Sequence, residues 1–189
     1  MEPRSGSAQS IDLRRGAAEQ RRAVVGAGIR GHKSTILPHL SQDLAETASF
    51  YVRQDDKRLV LYRVEPARSV RVGEEFPIDK GASGKVLRAF TEHQPKLAEV
   101  REQLWAVSRG ERDPETASVS APVFGSSGEL VGALTMSGPK GRFDLPPILA
   151  EAVRALLAGA KRATVALGGD GGRFEASLAA AGAAGFRVG

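Results

Sequence analysis

The sequence lacks cysteine altogether and holds only three histidines among its 189 residues. Without cysteine the chain has no disulfides, no thiol nucleophiles and no thiolate metal ligands. The histidines, His32, His39 and His93, are scattered without the spacing of metal ligands. The sequence therefore predicts neither a metal site nor a cofactor. No constellation of catalytic residues is evident either, so we do not expect an enzyme.

Long apolar runs are absent as well. No stretch approaches the roughly 20 residues that a membrane-spanning helix needs. The first ten residues, MEPRSGSAQS, lack the apolar core of a signal peptide. The sequence therefore predicts a cytoplasmic protein without a membrane partner. Its 41% hydrophobic and 26% charged residues are ordinary for a globular domain with a proper core.

Acidic residues are scarce in the first 33 positions. This segment holds seven basic and three acidic residues, which leaves one unit of the net charge of +5 to the rest of the chain. We predict that 1–33 is a basic N-terminal arm or linker helix. Such an arm either contacts nucleic acid phosphates or is a solvated tail. The remainder is nearly neutral, so we expect no nucleic-acid-binding surface there.

Hydrophobic periodicity predicts an α+β domain. The order is a helix, three strands, two helices, two strands and a long helix, which is typical of a GAF/PAS-like antiparallel sheet flanked by helices. The first three strands are predicted at Ser49–Arg53, Arg58–Val64 and Arg68–Val72. The helices are predicted near Leu37–Ala48, Lys85–Thr91 and Lys96–Val107, followed by a long one that Asp144 caps and Gly168 ends. Ser108–Glu115 is predicted to be irregular.

The stretch Val119–Phe143 predicts a hairpin whose strands are joined by a turn at Gly125–Gly128. Apolar residues alternate along both strands. In the second strand, Thr135 and Ser137 therefore share one face of an otherwise apolar run. A hairpin and its core explain the pattern by themselves, but two hydroxyls on one face also suit a pocket for a small polar ligand.

A second candidate feature is Gly81–Gly84, a loop predicted to open the helix at Lys85. Backbone N–H groups at a helix start stabilise an anion such as a carboxylate. The alternative interpretation is an ordinary N-cap provided by Ser83. Sequence alone leaves both open, and it does not show whether this helix start faces Thr135 and Ser137.

Several short motifs carry a family resemblance that runs from Ser34 to Gly168. They are LPHLSQDLAET at 37–47, LYRVE at 61–65, VRVG at 70–73, FP at 76–77, ASGK at 82–85, SAPVF at 120–124, Gly128, ALTMSGP at 133–139 and RF at 142–143. In this order and spacing they resemble the effector-binding, C-terminal domain of IclR-type bacterial transcriptional regulators. The resemblance implies a GAF-like domain that binds a small metabolite, often an organic acid, and that forms dimers or tetramers.

The resemblance also implies a ligand site and a domain layout. The ligand-binding residues carried over by motif are Phe76, Ala82, Ser83, Pro122, Thr135 and Ser137, and either Glu111 or Asp113 supplies an acidic residue. The layout is a basic arm at 1–33, an effector-binding domain at 34–168 and a C-terminal tail, possibly helical, at 169–189. Relatives bind operator DNA through an N-terminal helix-turn-helix that is not evident in this chain.

Two other functions stay open on the sequence. One is a stand-alone small-molecule-binding or dimerisation module without DNA binding. The other is an enzyme acting on a small acid, for which Ser83, Lys85 and Ser137 are the available side chains. The sequence does not identify the effector, and two positions differ from common family members. Pro122 stands where some have a polar residue, and Thr135 adds a methyl group where serine is common.

Overall fold

The computed structural model describes residues 36–66, 73–92 and 94–183. Three predicted features lie outside the described residues: the basic arm at 1–33, the strand at Arg68–Val72 and the end of the tail, 184–189. Nothing below concerns these parts of the chain.

Within the described ranges, six strands form one sheet in which every neighbouring pair is antiparallel. They are β1 (Thr47–Gln54), β2 (Lys57–Val64), β3 (Glu75–Pro77), β4 (Ala106–Arg109), β5 (Thr116–Phe124) and β6 (Leu130–Pro139). Their order across the sheet is β3-β2-β1-β6-β5-β4. The predicted α+β fold, an antiparallel sheet flanked by helices, is confirmed.

The helices cover both faces of this sheet. They are α1 (Ile36–Leu44), α2 (Gly81–Thr91), α3 (Ala98–Gln103), α4 (Lys140–Phe143), α5 (Pro146–Ala166) and α6 (Glu175–Ala183), with short 3-10 turns at Pro95–Leu97 and Gly171–Phe174. Among the residues described, no helix combines the length and apolar character needed to span a bilayer.

The sheet separates two hydrophobic cores, because successive residues of a strand point to opposite faces. On β6, Leu134 and Met136 belong to the large core shared with α1 and α5. Ala133 belongs to the smaller core shared with α2. The next residues on that second face, Thr135 and Ser137, are polar and line a cleft beside the start of α2. The smaller core therefore ends in a polar site.

The predicted hairpin of β5 and β6 is confirmed, with a turn at residues 125–129. Its register places Ser120 opposite Thr135 and Ser118 opposite Ser137. Side chains directly opposite each other on adjacent strands lie close together. Two cross-strand pairs of hydroxyl residues therefore stand side by side on the face that α2 covers.

The helix predicted at Lys96–Val107 is wrong in its C-terminal half. Helix α3 ends at Gln103, because Leu104 adopts a left-handed conformation with φ of +59° and buries its side chain in the large core. The next residues pair with β5 as strand β4, with Ala106 opposite Ser120. Pairing with the free edge of β5 outweighs the weak helical preference of this stretch.

The start of α2 also differs from the prediction. Gly81–Gly84 is the first turn of the helix rather than a loop before it, and the N-cap position is Lys80, which makes no side-chain capping bond. The predicted N-cap role of Ser83 is therefore wrong, and its side chain is buried within the first turn. Gly81 has φ of +81°, a conformation that favours glycine.

Helix α5 begins without the predicted cap. Its N-cap position is Leu145 and its first residue is Pro146, whereas Asp144 forms an ion pair with Arg109 at an N–O distance of 3.2 Å. Proline suits a first helical position because that position needs no N–H donor. The predicted end of the helix is confirmed, since Gly168 follows it with φ of +78°.

The chain after α5 folds back onto the large core. Phe174 is fully buried there, and its ring lies 6.2 Å from that of Phe124, centroid to centroid. Asp170 caps the preceding 3-10 turn by accepting a hydrogen bond from the Gly172 N–H at 2.8 Å. Within the tail predicted at 169–189, residues 175–183 form α6, which packs against α5.

Candidate functional site

A narrow cleft lies where the start of α2 meets the ends of β4, β5 and β6. Its volume is about 30 Å³, room for roughly two water molecules. Hydroxyl groups dominate its wall. The lining residues are Ser83, Ser108, Thr116, Ser118, Thr135 and Ser137, together with Tyr51, Arg58, Gly81, Ala82, Arg112 and Asp113.

Five of the seven predicted ligand-binding residues lie together in this cleft, namely Ala82, Ser83, Asp113, Thr135 and Ser137. The other two are not among its lining residues. Phe76 lies on β3, with its ring edge-on to Tyr51 at 6.4 Å and beneath the Arg112 guanidinium at 4.5 Å. Pro122 lies on β5 opposite Ala133 and is buried.

A carboxylate occupies the start of α2, and the chain itself supplies it. Glu111 accepts a hydrogen bond from the Gly81 N–H at 2.8 Å and another from the Lys85 ammonium at 2.5 Å. Burial opposes ionisation of Glu111, but these hydrogen bonds outweigh it and hold the pKa of the carboxyl below its ordinary value. The helix start therefore does hold an anion, as its N–H groups and dipole favour.

Arg58 is the main feature that the sequence analysis missed. Its side chain lies on β2 and is only 3% exposed, and its guanidinium donates to the Lys80 carbonyl and lies near the rings of Tyr51 and Phe76, at 5.5 and 5.7 Å. Among the residues that the structure describes, its Nε has no hydrogen-bond partner. Burial lowers the pKa of this group. One signal was available: Arg58 shares a strand face with Val60, which is buried.

Glycine residues make room for this arginine. A Cβ on Gly81 would lie 3.1 Å from Nη2 of Arg58, and a Cβ on Gly84 would lie 2.8 Å from its Nη1. A Cβ on Gly84 would also overlap the carbonyl oxygen of Ile78. Glycine at these two positions thus allows the guanidinium to lie directly against the first turn of α2.

The opposite wall consists of hydroxyls with defined partners. Ser120 donates to the Leu134 carbonyl at 3.0 Å, and its oxygen lies 2.8 Å from that of Thr135. Asp113 accepts hydrogen bonds from the Glu115 N–H at 3.1 Å and the Thr116 hydroxyl at 2.9 Å, which lower its pKa. This wall presents oriented donors and acceptors beside the buried charge of Arg58.

A larger cavity of about 220 Å³ lies elsewhere, between the end of α1, α4 and the start of α5. It contains the buried Glu46, whose carboxylate lies 3.1 Å from the Arg142 guanidinium. Burial raises the pKa of Glu46, and the charge of Arg142 partly offsets that rise. The remaining wall is largely apolar and includes Leu44, Phe143 and Ile148.

The comparisons with known proteins agree with this fold. Residues 91–164 match the family model for the C-terminal domain of the bacterial transcriptional regulator IclR. This segment of the chain is similar to an IclR-type C-terminal domain. A Rhodococcus transcriptional regulator of the IclR family is 28% identical, with a TM-score of 0.61 over 70% of this chain and 62% of its own. No curated protein matches.

Two further solved structures share the fold. Thermotoga maritima IclR has 21% identity and a TM-score of 0.67 over 81% of this chain and 74% of its own. The C-terminal domain of Escherichia coli KdgR has 22% identity and a TM-score of 0.64 over 75% of this chain and 98% of its own. The chain thus spans an isolated C-terminal domain almost entirely, but only about three fifths of the Rhodococcus regulator.

The proteins to which this chain is similar are transcriptional regulators rather than enzymes. The side chains considered for catalysis have other contacts. Lys85 donates to Glu111 and to the Val107 carbonyl at 2.9 Å, so its ammonium is engaged within the fold. In the part of the chain that the structure describes, no group of three or more His, Asp or Glu is placed to hold a metal ion.

Proposed function

We propose that this domain is the ligand-sensing part of an IclR-type transcription regulator and that the cleft at the start of α2 binds a small organic acid. The observation that carries the proposal is the convergence of three features on one cleft. They are the N-terminal N–H groups of α2, the buried guanidinium of Arg58 and the hydroxyl wall of Thr135 and Ser137. Each of them favours a carboxylate with further oxygen atoms.

The proposal extends to a larger assembly, on the resemblance to IclR-type regulators. We propose 34–168 as the effector-binding unit, which forms a homodimer or tetramer. We also propose that ligand binding changes the affinity for operator DNA of a helix-turn-helix that is not evident in this sequence. The basic arm at 1–33 then links the two parts. Sedimentation of the chain at several concentrations tests the assembly, and a single monomeric species throughout would contradict it.

Thermal unfolding with a panel of small carboxylic acids tests the ligand class. An acid at 100 times its Kd stabilises the folded state by about 2.7 kcal/mol, which raises Tm by roughly 5–10 °C for a chain of this size. The amides of the same acids serve as neutral controls and should have no effect. If no acid in a broad panel raises Tm more than its amide does, the proposed ligand class is wrong.

A pair of serine variants locates the binding site. Ser137→Ala removes a hydroxyl from the cleft wall and should reduce the Tm shift produced by an active acid. Ser127→Ala removes an exposed hydroxyl from the hairpin turn, where Ser127 donates to Glu129 at 2.6 Å, and should leave the shift unchanged. Equal shifts in the two variants would place the acid elsewhere.

A further inference from the structure

The buried cation at the start of α2 has no directly paired carboxylate among the described residues. Arg58 is buried, and within the described residues it forms no ion pair with a carboxylate. A guanidinium stays protonated in proteins, so its burial must be compensated by an anion or by a full set of acceptors. Among the described residues its guanidinium donates to the Lys80 carbonyl, and its Nε has no acceptor. Asp79 and Glu111 are near enough to act on Arg58 electrostatically, but neither forms an ion pair with it in the described structure, so the guanidinium lacks a direct counter-ion.

The position of Arg58 makes the lack of a direct counter-ion less favourable. Its guanidinium lies against Gly81 and Gly84, at the N-terminal end of α2, where the helix dipole adds positive potential. Lys85 brings a second cation to the same turn. Glu111 is the carboxylate that contacts this turn, and its hydrogen bonds go to Lys85 and to the Gly81 N–H rather than to Arg58.

Glu111 is suited to leave this position. It lies between β4 and β5, in a connection that also carries Arg112 and Asp113, and about a third of its side chain, 32%, is exposed. A carboxylate that swings out into water regains its hydration. Gly81 lines the cleft, so an acid that binds the Gly81 N–H needs the hydrogen bond that Glu111 now takes.

We propose that Glu111 is an internal competitor for the ligand's carboxylate. A short-chain carboxylic acid displaces Glu111 from the Gly81 N–H and provides the counter-ion that Arg58 lacks. Arg58 is then the residue that selects an acid over its neutral analogue. This inference rests on the proposed function of the cleft. It adds that the chain's own carboxylate occupies the Gly81 N–H until an acid displaces it.

Acetate binding to the full chain tests the competition, with the Gly81 amide resonance as the probe. Glu111→Ala should shift that resonance because its hydrogen-bond acceptor is lost, and acetate should return it toward the wild-type position. Loss of the competing charge-assisted hydrogen bond should tighten acetate binding by about ten-fold or more. The matched control is Glu115→Ala, which removes the same charge from an exposed residue nearby and should bind acetate as the wild type does.

Arg58→Met tests the role of the guanidinium. Replacing an uncompensated buried charge with an apolar side chain of similar length should preserve or raise Tm and weaken acetate binding about ten-fold or more. Arg53→Met, which removes a partly exposed arginine paired with Glu92 at 2.9 Å, is the control and should leave acetate binding unchanged. If Arg58→Met does not fold, the Glu111→Ala comparison decides.

The outcomes separate the two proposals. Acetate binding that is equally tight in the wild type, Glu111→Ala and Glu115→Ala overturns the competition but leaves an acid-binding cleft. In Glu111→Ala the Gly81 N–H no longer has Glu111 as its acceptor. If acetate does not shift the Gly81 amide resonance even in this variant, the cleft is not an acid-binding site. If acetate and acetamide shift the Gly81 resonance equally, Arg58 is not the residue that selects an acid over its neutral analogue.

Discussion

The cleft at the start of α2 and the cavity beside α4 differ both in volume and in charge balance. The cavity is the larger, at about 220 Å³ against about 30 Å³, and its buried Glu46 has Arg142 as a counter-ion. The cleft is nearly filled, yet its buried Arg58 has no ion-pair partner within the described ranges. Volume points to one region, and a buried cation without an ion-pair partner points to the other.

The chemistry of the two buried charges explains why an unpaired charge indicates the binding site better than cavity volume does. A carboxyl in a poor environment can take up a proton and become neutral, and burial does raise the pKa of Glu46. An arginine stays charged at physiological pH and cannot become neutral in this way. Burying Glu46 is therefore tolerable without a ligand, whereas burying Arg58 beside a helix N-terminus favours an anion. This difference supports the cleft, not the larger cavity, as the site of acid binding.

The largest expected effect comes from closing the space around Arg58. Gly84→Ala places a methyl group against Arg58 and the Ile78 carbonyl, so we expect a loss of about 2–3 kcal/mol in unfolding free energy, together with loss of acid binding. Gly141→Ala in α4, near the larger cavity, meets nothing within 4 Å and should change stability by less than about 0.5 kcal/mol. Urea unfolding measures both, and similar losses in the two variants would contradict the crowding argument.

A pair of threonine variants gives smaller effects that separate stability from binding. Thr164 lies under the large core and accepts the Phe124 N–H at 3.1 Å, so Thr164→Val leaves a buried donor unpaired at a cost of about 1–3 kcal/mol. Thr135→Val should cost about 1 kcal/mol, because Ser120 keeps the Leu134 carbonyl as acceptor.

The effects of the two threonine variants on acid binding should have the opposite order to their effects on stability. Thr135→Val removes a hydroxyl from the cleft and should weaken acid binding, whereas Thr164→Val should leave the Kd unchanged for the folded fraction. Titration of both variants with the most stabilising acid of the panel checks this. If Thr164→Val weakens binding as much as Thr135→Val does, the two faces of the sheet are coupled and the cleft is not a separate site.

The sequence could predict the parts of the site that depend on local patterns but not those that depend on long-range contacts. The shared face of Thr135 and Ser137 follows from a period of two, which is local, so the hairpin and its hydroxyls were predictable. The unpaired state of Arg58 depends on contacts between β2 and the first turn of α2, which no local pattern encodes. The bond from Gly81 to Glu111 joins residues 30 positions apart.

The failed predictions have a similar cause. Strand β4 was missed because its residues form a strand only by pairing with β5, from Arg109 opposite Ala117 to Ala106 opposite Ser120, and these partners are not neighbours in the sequence. Ser83 fits the pattern of an N-cap, but Gly81 starts the helix two residues earlier because its left-handed φ is available to glycine. In both cases tertiary contacts or backbone geometry outweighed a local preference.

The smallest effect concerns Glu46, and it appears only as a dependence on pH. Since burial raises the pKa of Glu46 in the folded state, its protonated form is favoured there. Its contribution to stability is complete below the pKa of an unfolded-state glutamate and is lost as pH rises through the higher folded-state pKa. Glu46→Gln lacks this titration, so its Tm should rise relative to the wild type across that pH window.

Glu151→Gln is the matched control, because Glu151 also lines the larger cavity but is exposed. Its Tm difference from the wild type should be flat over the same window. A flat difference for Glu46→Gln as well would mean that the Arg142 ion pair fully compensates the buried carboxylate. The contrast with Arg58 would then be sharper, since every buried charge of the larger cavity would be satisfied within the chain.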